Sequence, residues 1–384
     1  MRILLYVSHQ QTLGEVQRAL SIAEHLFINH TVLIINAGAS MPLLQKCVSL
    51  PFPLYDANSL RYGTYNTRTP EQKTARAKSL LNTCLTFQPE LFITTGFPFH
   101  FAEEYTTLMP VLKSLSCPAW CSLGYPLSTT PQSMQHKTLA RFEKILVHCP
   151  EDLDPLWIDP AQNLPLTKLL VEWQHAGRCV FTNYILPRES LDAVHETPLQ
   201  EQDYILVSRG SGTVCDNILT VARSAAELLG KKIILVEGIM NGKNEQSVHP
   251  VKNAEVNNNS FTHLSQADFT VCLRRAACSV SMAGYGTAVQ LLFTRQTKAV
   301  LIPKPHVIDT EQDYRARMLC HILGAEVLEY DQLTPQSLST AIQKVMSSAT
   351  TSSVNKPVIS ESWFSGLSRI SREINGCSHR TTAN

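Results

Sequence analysis

The stretch richest in groups that could do chemistry is Ser281-Met-Ala-Gly-Tyr-Gly-Thr-Ala-Val-Gln-Leu-Leu-Phe293. It is followed by Ala299-Val-Leu-Ile-Pro-Lys-Pro305 and by Glu311-Gln-Asp-Tyr-Arg315. Cys278–Ser281 reads as a short buried strand and Gly284-Tyr-Gly286 as a tight turn. Thr287 then opens an apolar helix through Ala288, Val289, Leu291, Leu292 and Phe293. A strand that turns through glycines into a helix leaves backbone N–H groups at the positive end of the helix dipole. That is a site for an anion such as a phosphate, approached closely because glycine has no side chain. Ser281, Gly284, Gly286 and Thr287 are its candidates. A second glycine loop, Arg209-Gly-Ser-Gly212, adds the Ser211 hydroxyl and the Arg209 cation, which could neutralise phosphate directly. The rival reading gives the glycines a packing role only and makes Arg209 a surface charge after a strand.

The elements that must hold these residues follow from the apolar runs. Arg2–Val7 predicts a strand, Glu15–Phe27 a helix with Val16, Ala19, Leu20, Ala23 and Leu26 on one side, and Thr31–Ile35 a second continuous apolar strand. That is a βαβ unit, which makes the sheet parallel and buried on both faces. Residues 51–68 read as a long loop. Helices at Thr74–Phe87 and Ala102–Leu115 alternate with strands at Glu90–Thr94, Pro118–Leu123, Phe142–His148 and Arg178–Ile185. Leu186 to Asp203 is charged, lacks apolar periodicity and holds Pro187 and Pro198, which predicts a linker. The pattern then restarts with strand Tyr204–Ser208, helix Asn217–Leu229 and strand Lys232–Val236, followed by an asparagine-rich loop over 241–260 and a short helix at Asp268–Arg275. The expected division is therefore 1–186, a linker at 187–203, and 204–348. A C-terminal segment, 349–384, follows, with an amphipathic helix at Trp363–Ile374 and a disordered tail from Gly376. In open parallel sheets ligands sit at the carboxyl ends of the strands, so both polar ends of the second half should face one crevice.

Totals narrow the classes. The chain has 384 residues, enough for two domains, and its formal net charge of +1 argues for no nucleic acid partner. No apolar run is long enough for a transmembrane helix. The eleven cysteines are scattered, odd in number and mostly in apolar runs, Cys320 among them, which suits buried thiols in a reducing cytoplasm. Cys117 and Cys121 have no second pair at zinc-like spacing, and Asp152-Leu-Asp154 follows no convincing strand end, so no metal site is expected.

Ser281-Met-Ala-Gly-Tyr-Gly-Thr287, the Leu301-Ile-Pro-Lys-Pro305 strand end, Glu311-Gln312, and Arg315-Ala-Arg317 before Leu323-Gly-Ala325 together resemble the donor-sugar half of the MurG-like GT-B glycosyltransferases. The start is similar too, with Ser8-His9, Gly14 and Arg18-Ala-Leu20. The resemblance implies a GT-B fold, α/β, with two Rossmann-like doubly wound domains and a cleft between them. It also implies transfer of a hexosyl group from a nucleotide-diphosphate sugar, a UDP-sugar, to an acceptor hydroxyl, inverting and without metal or other cofactor. Gln290 stands where the family usually has a glutamate on the ribose hydroxyls, keeping hydrogen-bonding capacity but losing the charge. Glu311 and Gln312 match positions that contact the donor sugar, and Arg315 reads as the partner of a nearby carboxylate.

Where the family often has Gly-His, this chain has Gly14-Glu15 on the acceptor side. Glu15 and His9 are then the candidate catalytic bases, against a carboxylate that only favours the helix dipole and an ordinary loop histidine. The implied acceptor is lipid-linked or a small molecule, and the location cytoplasmic, with peripheral contact at the inner face of a membrane. The alternatives are a degenerate GT-B protein that binds a nucleotide or a partner without turnover, and a nucleotide-sugar epimerase of the same fold.

Overall fold

Continuous aliphatic runs form the strands because a parallel sheet is covered on both faces. In the computed structural model of the chain they build two separate sheets, one in each of two compact units. Met1–Pro155, Ala161–Ile185 and Glu361–Asn384 make the first unit, and Leu156–Pro160 with Leu186–Ser360 the second. The structure describes residues 1–7, 14–36, 54–56, 69–95, 102–124, 137–151, 172–196, 202–210, 217–236, 259–261, 264–303, 311–348 and 358–381.

In the first unit, strand β1 (Arg2–Val7) is followed by α1 (Gly14–Phe27), β2 (Thr31–Asn36), β3 (Leu54–Asp56), α2 (Pro70–Phe87) and β4 (Leu91–Thr95). Helix α3 (Ala102–Ser114) and strands β5 (Ala119–Gly124), β6 (Lys144–His148) and β7 (Cys179–Phe181) complete it. The strands pair in parallel in the order β3-β2-β1-β4-β5-β6-β7. The order reverses between β1 and β4, with Val7 opposite Thr95 at their carboxyl ends. Ile3, Leu4, Leu5, Tyr6 and Val7 are all buried, so β1 is the spine of this core.

The end of the chain is tied to the same unit. A 3-10 turn (Glu361–Phe364) and the C-terminal helix (Gly366–Thr381) close against the corner at Asn183-Tyr184. The Tyr184 amide donates to the Trp363 carbonyl at 2.7 Å. The Asn183 carboxamide, on a residue with φ 71°, donates to the Ser362 carbonyl at 2.8 Å and to Ser365 Oγ at 2.9 Å. Gly366 donates its amide to the Tyr184 carbonyl, and a Cβ there would stand 2.5 Å from that oxygen. Trp363, Ile370 and Ile374 are buried. The predicted disordered tail is corrected, since the helix continues through Gly376 to Thr381.

In the second unit, α4 (Arg188–Glu196) and β8 (Gln202–Ser208) precede α5 (Asn217–Leu229), β9 (Lys232–Val236), β10 (Asn259–Phe261), α6 (Gln266–Arg275) and β11 (Ala276–Ser281). Helix α7 (Tyr285–Thr294), β12 (Ala299–Leu301), α8 (Glu311–Leu323), β13 (Glu326–Val327) and α9 (Pro335–Ser347) follow. The six strands are again all parallel, in the order β10-β9-β8-β11-β12-β13. Ile205, Val207, Val280 and Val300 on the sheet pack with Ile218, Ala222, Leu338 and Ile342 on the helices. The expected linker contains helix α4. Its buried positions are Ser190 and Ala193, too small and too polar to show as hydrophobic periodicity. Strands β3 and β10, three residues each, also lie where loops are expected, and both are short edge strands of mixed polarity.

The corner at Gly366 generates a prediction. Gly366→Ala should force the strap off Tyr184, lower the melting temperature and destabilise by about 1–3 kcal/mol. Limited proteolysis should then cut the C-terminal segment first. An unchanged melting temperature and digestion pattern would contradict the close approach.

Candidate functional site

Doubly wound sheets gather ligands at the carboxyl ends of the strands, where the strand order reverses. In the second unit that point lies between β8 and β11, whose last residues, Ser208 and Ser281, stand opposite each other. Arg209, which follows Ser208, is 1% exposed, so it is no surface charge. Gly210 takes φ 76°, a left-handed turn that side chains rarely adopt, and its amide approaches Ser208 Oγ at 3.4 Å. On the neighbouring strand, Ser281 is 3% exposed and its hydroxyl has no hydrogen-bond partner among the described residues.

Helix α7 begins beside it. Its N-cap is Gly284, with φ −65° and ψ 154°, a residue with no side chain of its own to cap the helix. The helix therefore starts at Tyr285, two residues earlier than the sequence predicts, and Gly286 and Thr287 lie in its first turn. Among the described residues, a Cβ added at Gly284 or Gly286 would meet nothing within 4 Å, so the glycines are not packed against them and leave open space over the helix start. Helix-start amides, a dipole's positive end and a buried guanidinium on the adjacent strand end suit an anionic group.

Gln290 does not join this group. It is 2% exposed, and its Nε2 donates to Ser190 Oγ at 2.8 Å and to Gln266 Oε1 at 3.3 Å, while its Oε1 accepts from Thr270 Oγ1 at 2.9 Å. These bonds run to protein side chains, where the resemblance implies a ribose contact. A carboxamide both donates and accepts, so it can join α4, α6 and α7 in a dry contact where a carboxylate would be costly. Glu189 latches α4 further. Its carboxyl faces the backbone of Gln266 and Ala267 at the start of α6, and partial desolvation there raises its pKa. Glu311 and Gln312, both half-buried, open helix α8. Arg315 donates from Nη2 to Glu311 Oε2 at 2.5 Å and from Nη1 to the Ala283 carbonyl at 3.0 Å.

In the first unit, Gly14 is the exposed first residue of α1, and Glu15 in the first turn is ion-paired with Arg18. The Arg18 side chain is 2% exposed and that of Glu15 28%. Sequence reasoning missed a buried polar chain across neighbouring strand ends. Ser122 Oγ and His148 Nε2 are 2.6 Å apart, and His148 Nδ1 and Thr182 Oγ1 2.7 Å apart. Burial, with the nearby Arg18 charge, holds the His148 pKa well below that of an ordinary histidine. The only sequence signal is a histidine ending an aliphatic strand. His9 and Ser211 lie outside the described residues.

Seven of the described cysteines are buried, and burial pushes Cys84, Cys117, Cys179, Cys272 and Cys278 up to about 12, far from nucleophilic. Cys320 is exposed, on the outer side of α8, and is the exception to the buried-thiol expectation. Among the described residues, no group of three or more His, Cys, Asp or Glu is placed to hold a metal ion, and no helix is long and apolar enough to cross a membrane.

Comparison with known proteins places the second unit's site region within a family match. Residues 205–365 match the family model described as glycosyltransferase family 28 C-terminal domain, a span that holds the β8–β11 strand ends, α7 and α8. A UDP-N-acetylglucosamine–N-acetylmuramyl-(pentapeptide) pyrophosphoryl-undecaprenol N-acetylglucosamine transferase from Gloeothece citriformis (strain PCC 7424) is 28% identical over 157 residues, 40% of this chain and 41% of that enzyme. The chain thus matches about two fifths of the length of that curated relative. Among solved structures, MurG of Acinetobacter baumannii aligns with a TM-score of 0.55 at 15% identity, covering 89% of this chain and 90% of the other. The UDP-GlcNAc 2-epimerase of Methanocaldococcus jannaschii, solved with UDP-GlcNAc and UDP, aligns at 0.58 and 12% identity, covering 98% and 99%. These likenesses show the two-domain GT-B fold that transferases and epimerases share.

Two predictions follow from the buried groups. Gln290→Glu should destabilise by about 1–3 kcal/mol, because a carboxylate cannot donate to Ser190 and Gln266. Chemical denaturation reads this out, and an unchanged midpoint would contradict the network. For His148 the folded pKa is depressed, so the unfolded chain takes up its proton first as pH falls. Its contribution to stability is intact above about pH 6.5 and is lost below it, at up to about 1.4 kcal/mol per pH unit. Between pH 7 and 5 the wild type should therefore lose more stability than His148→Gln, and parallel profiles would contradict a buried neutral histidine.

Proposed function

We propose that this chain, whose second unit carries a MurG-like glycosyltransferase family 28 C-terminal domain, transfers a hexosyl group from a UDP-sugar to an acceptor hydroxyl. The observation that carries the reading is the coincidence of two independent facts. Among the described residues of the second unit, the family match includes a glycine-capped helix start, open space over two glycines and a buried arginine at the sheet's reversal point. Departure of a nucleoside diphosphate concentrates negative charge on its terminal phosphate. Preorganised amides of α7 with Arg209, Ser281 and Thr287 would stabilise that charge without a metal, and Ser211 belongs with them in the proposal.

Glu311 and Gln312 would accept from sugar hydroxyls. Glu15, held by Arg18, would take the acceptor's proton, and direct displacement would invert the anomeric centre. His9 is the second candidate base. The named relative's acceptor is a pyrophosphoryl-undecaprenol lipid. For this chain a lipid-linked or small-molecule acceptor, reached in the cytoplasm at the inner membrane face, is part of the proposal. The epimerase likeness is one of fold, whereas the sequence match is to transferases.

Calorimetric titration with UDP, dTDP and GDP, followed by donor turnover, tests the reading. UDP should bind selectively. Gly286→Ala should leave stability unchanged or raised, since the added methyl meets no protein atom, yet weaken UDP at least about 10-fold by occupying the approach to the helix start. Glu15→Gln should retain UDP binding and lower kcat by about 100-fold or more. No binding of any nucleotide would contradict the donor site, and binding without turnover would leave a nucleotide-binding protein.

A further inference from the structure

We propose that Arg315 is a positioning residue, a clamp that sets the donor-sugar contacts against the phosphate end of the site. The inference deepens the donor reading and rests on it. Arg315 lies one turn into α8, with its side chain 3% exposed, and its two terminal nitrogens do different jobs. Nη1 donates to the carbonyl of Ala283, the residue before the N-cap of α7, and Nη2 holds Glu311 Oε2 at the first residue of α8. One rigid guanidinium thus fixes the turn that starts one helix and the carboxylate that starts the other.

Arginine suits this because its planar fork offers two donors at a fixed angle, whereas lysine concentrates its donors at one atom. The cost shows that the residue is more than filler. Its Nε is buried with no hydrogen-bond partner among the described residues, an expense that an apolar side chain would avoid. The carboxylate it holds is 34% exposed, so the pair fixes the direction of Glu311 without enclosing it. On the donor reading, UDP is gripped at the α7 start and Glu311 meets the sugar. The clamp then governs how much affinity the sugar adds to UDP, more than the affinity for UDP itself.

The test uses the full-length chain and a panel of UDP, UDP-N-acetylglucosamine, UDP-glucose and UDP-galactose. The readout is the ratio of the Kd for UDP to the Kd for whichever sugar nucleotide wild type binds best. Arg315→Lys should reduce that ratio at least about fivefold while changing the UDP Kd by less, and the loss in turnover should appear mainly in KM for the donor. Glu311→Gln should reduce the ratio similarly with Arg315 left in place, and it keeps the test available if Arg315→Lys does not fold. The double variant should be no worse than the more severe single one, because both act on one contact.

An unchanged ratio in Glu311→Gln, equal losses for UDP and its sugar in Arg315→Lys, or additive losses in the double variant would overturn the clamp and leave the donor site standing. Wild-type protein that binds none of the four would overturn the donor reading and the clamp with it.

Discussion

A parallel sheet buried on both faces leaves its strand ends as the place where polar groups can face a ligand. That constraint organises both units. Every strand pairing among the described residues is parallel, and each sheet reverses its order between two strands whose carboxyl ends lie side by side. The next helix start adds its dipole's positive end there, so Ser208, Arg209, Ser281 and Gly284 lie near one another in the second unit. In the first unit the same geometry collects Thr95, Ser122 and His148 at the ends of β4, β5 and β6.

Buried polar side chains in the second unit divide by whether their hydrogen bonds close. Gln290 uses its donors and its acceptor on Thr270, Ser190 and Gln266, and so works as structure, tying α4 to the unit that follows it in the chain. Ser281 keeps its hydroxyl without a partner among the described residues at the mouth of an uncapped helix, and Arg315 keeps one nitrogen so while bracing that helix against the next. Closed networks specify packing.

The strand and helix alternation was legible because apolar runs of four or five residues can bury both faces, as Ile3–Val7 and Tyr204–Val207 do. The glycine turn before α7 was legible because glycine spacing punctuates a strand-to-helix change. Helix α4 was not, since its inner face is Ser190 and Ala193 and carries no hydrophobic period. The fate of Gln290 was hidden for a related reason. Spacing gives a residue's height along a helix, but only the arrival of α4 and α6 decides which side of that helix is dry. The Ser122–His148–Thr182 chain joins residues 26 and 34 apart, a proximity set by strand order alone.

The central claim is that the start of α7, beside Arg209 and Ser281, receives the diphosphate of a nucleotide donor. Amide hydrogen exchange of the chain with and without saturating UDP addresses it without relying on turnover. The account predicts slowed exchange confined to the amides around Arg209-Gly210 and Tyr285–Thr287, with the amides of β1 and α1 unchanged. Protection absent from Tyr285–Thr287, or appearing only in the first unit, would contradict it.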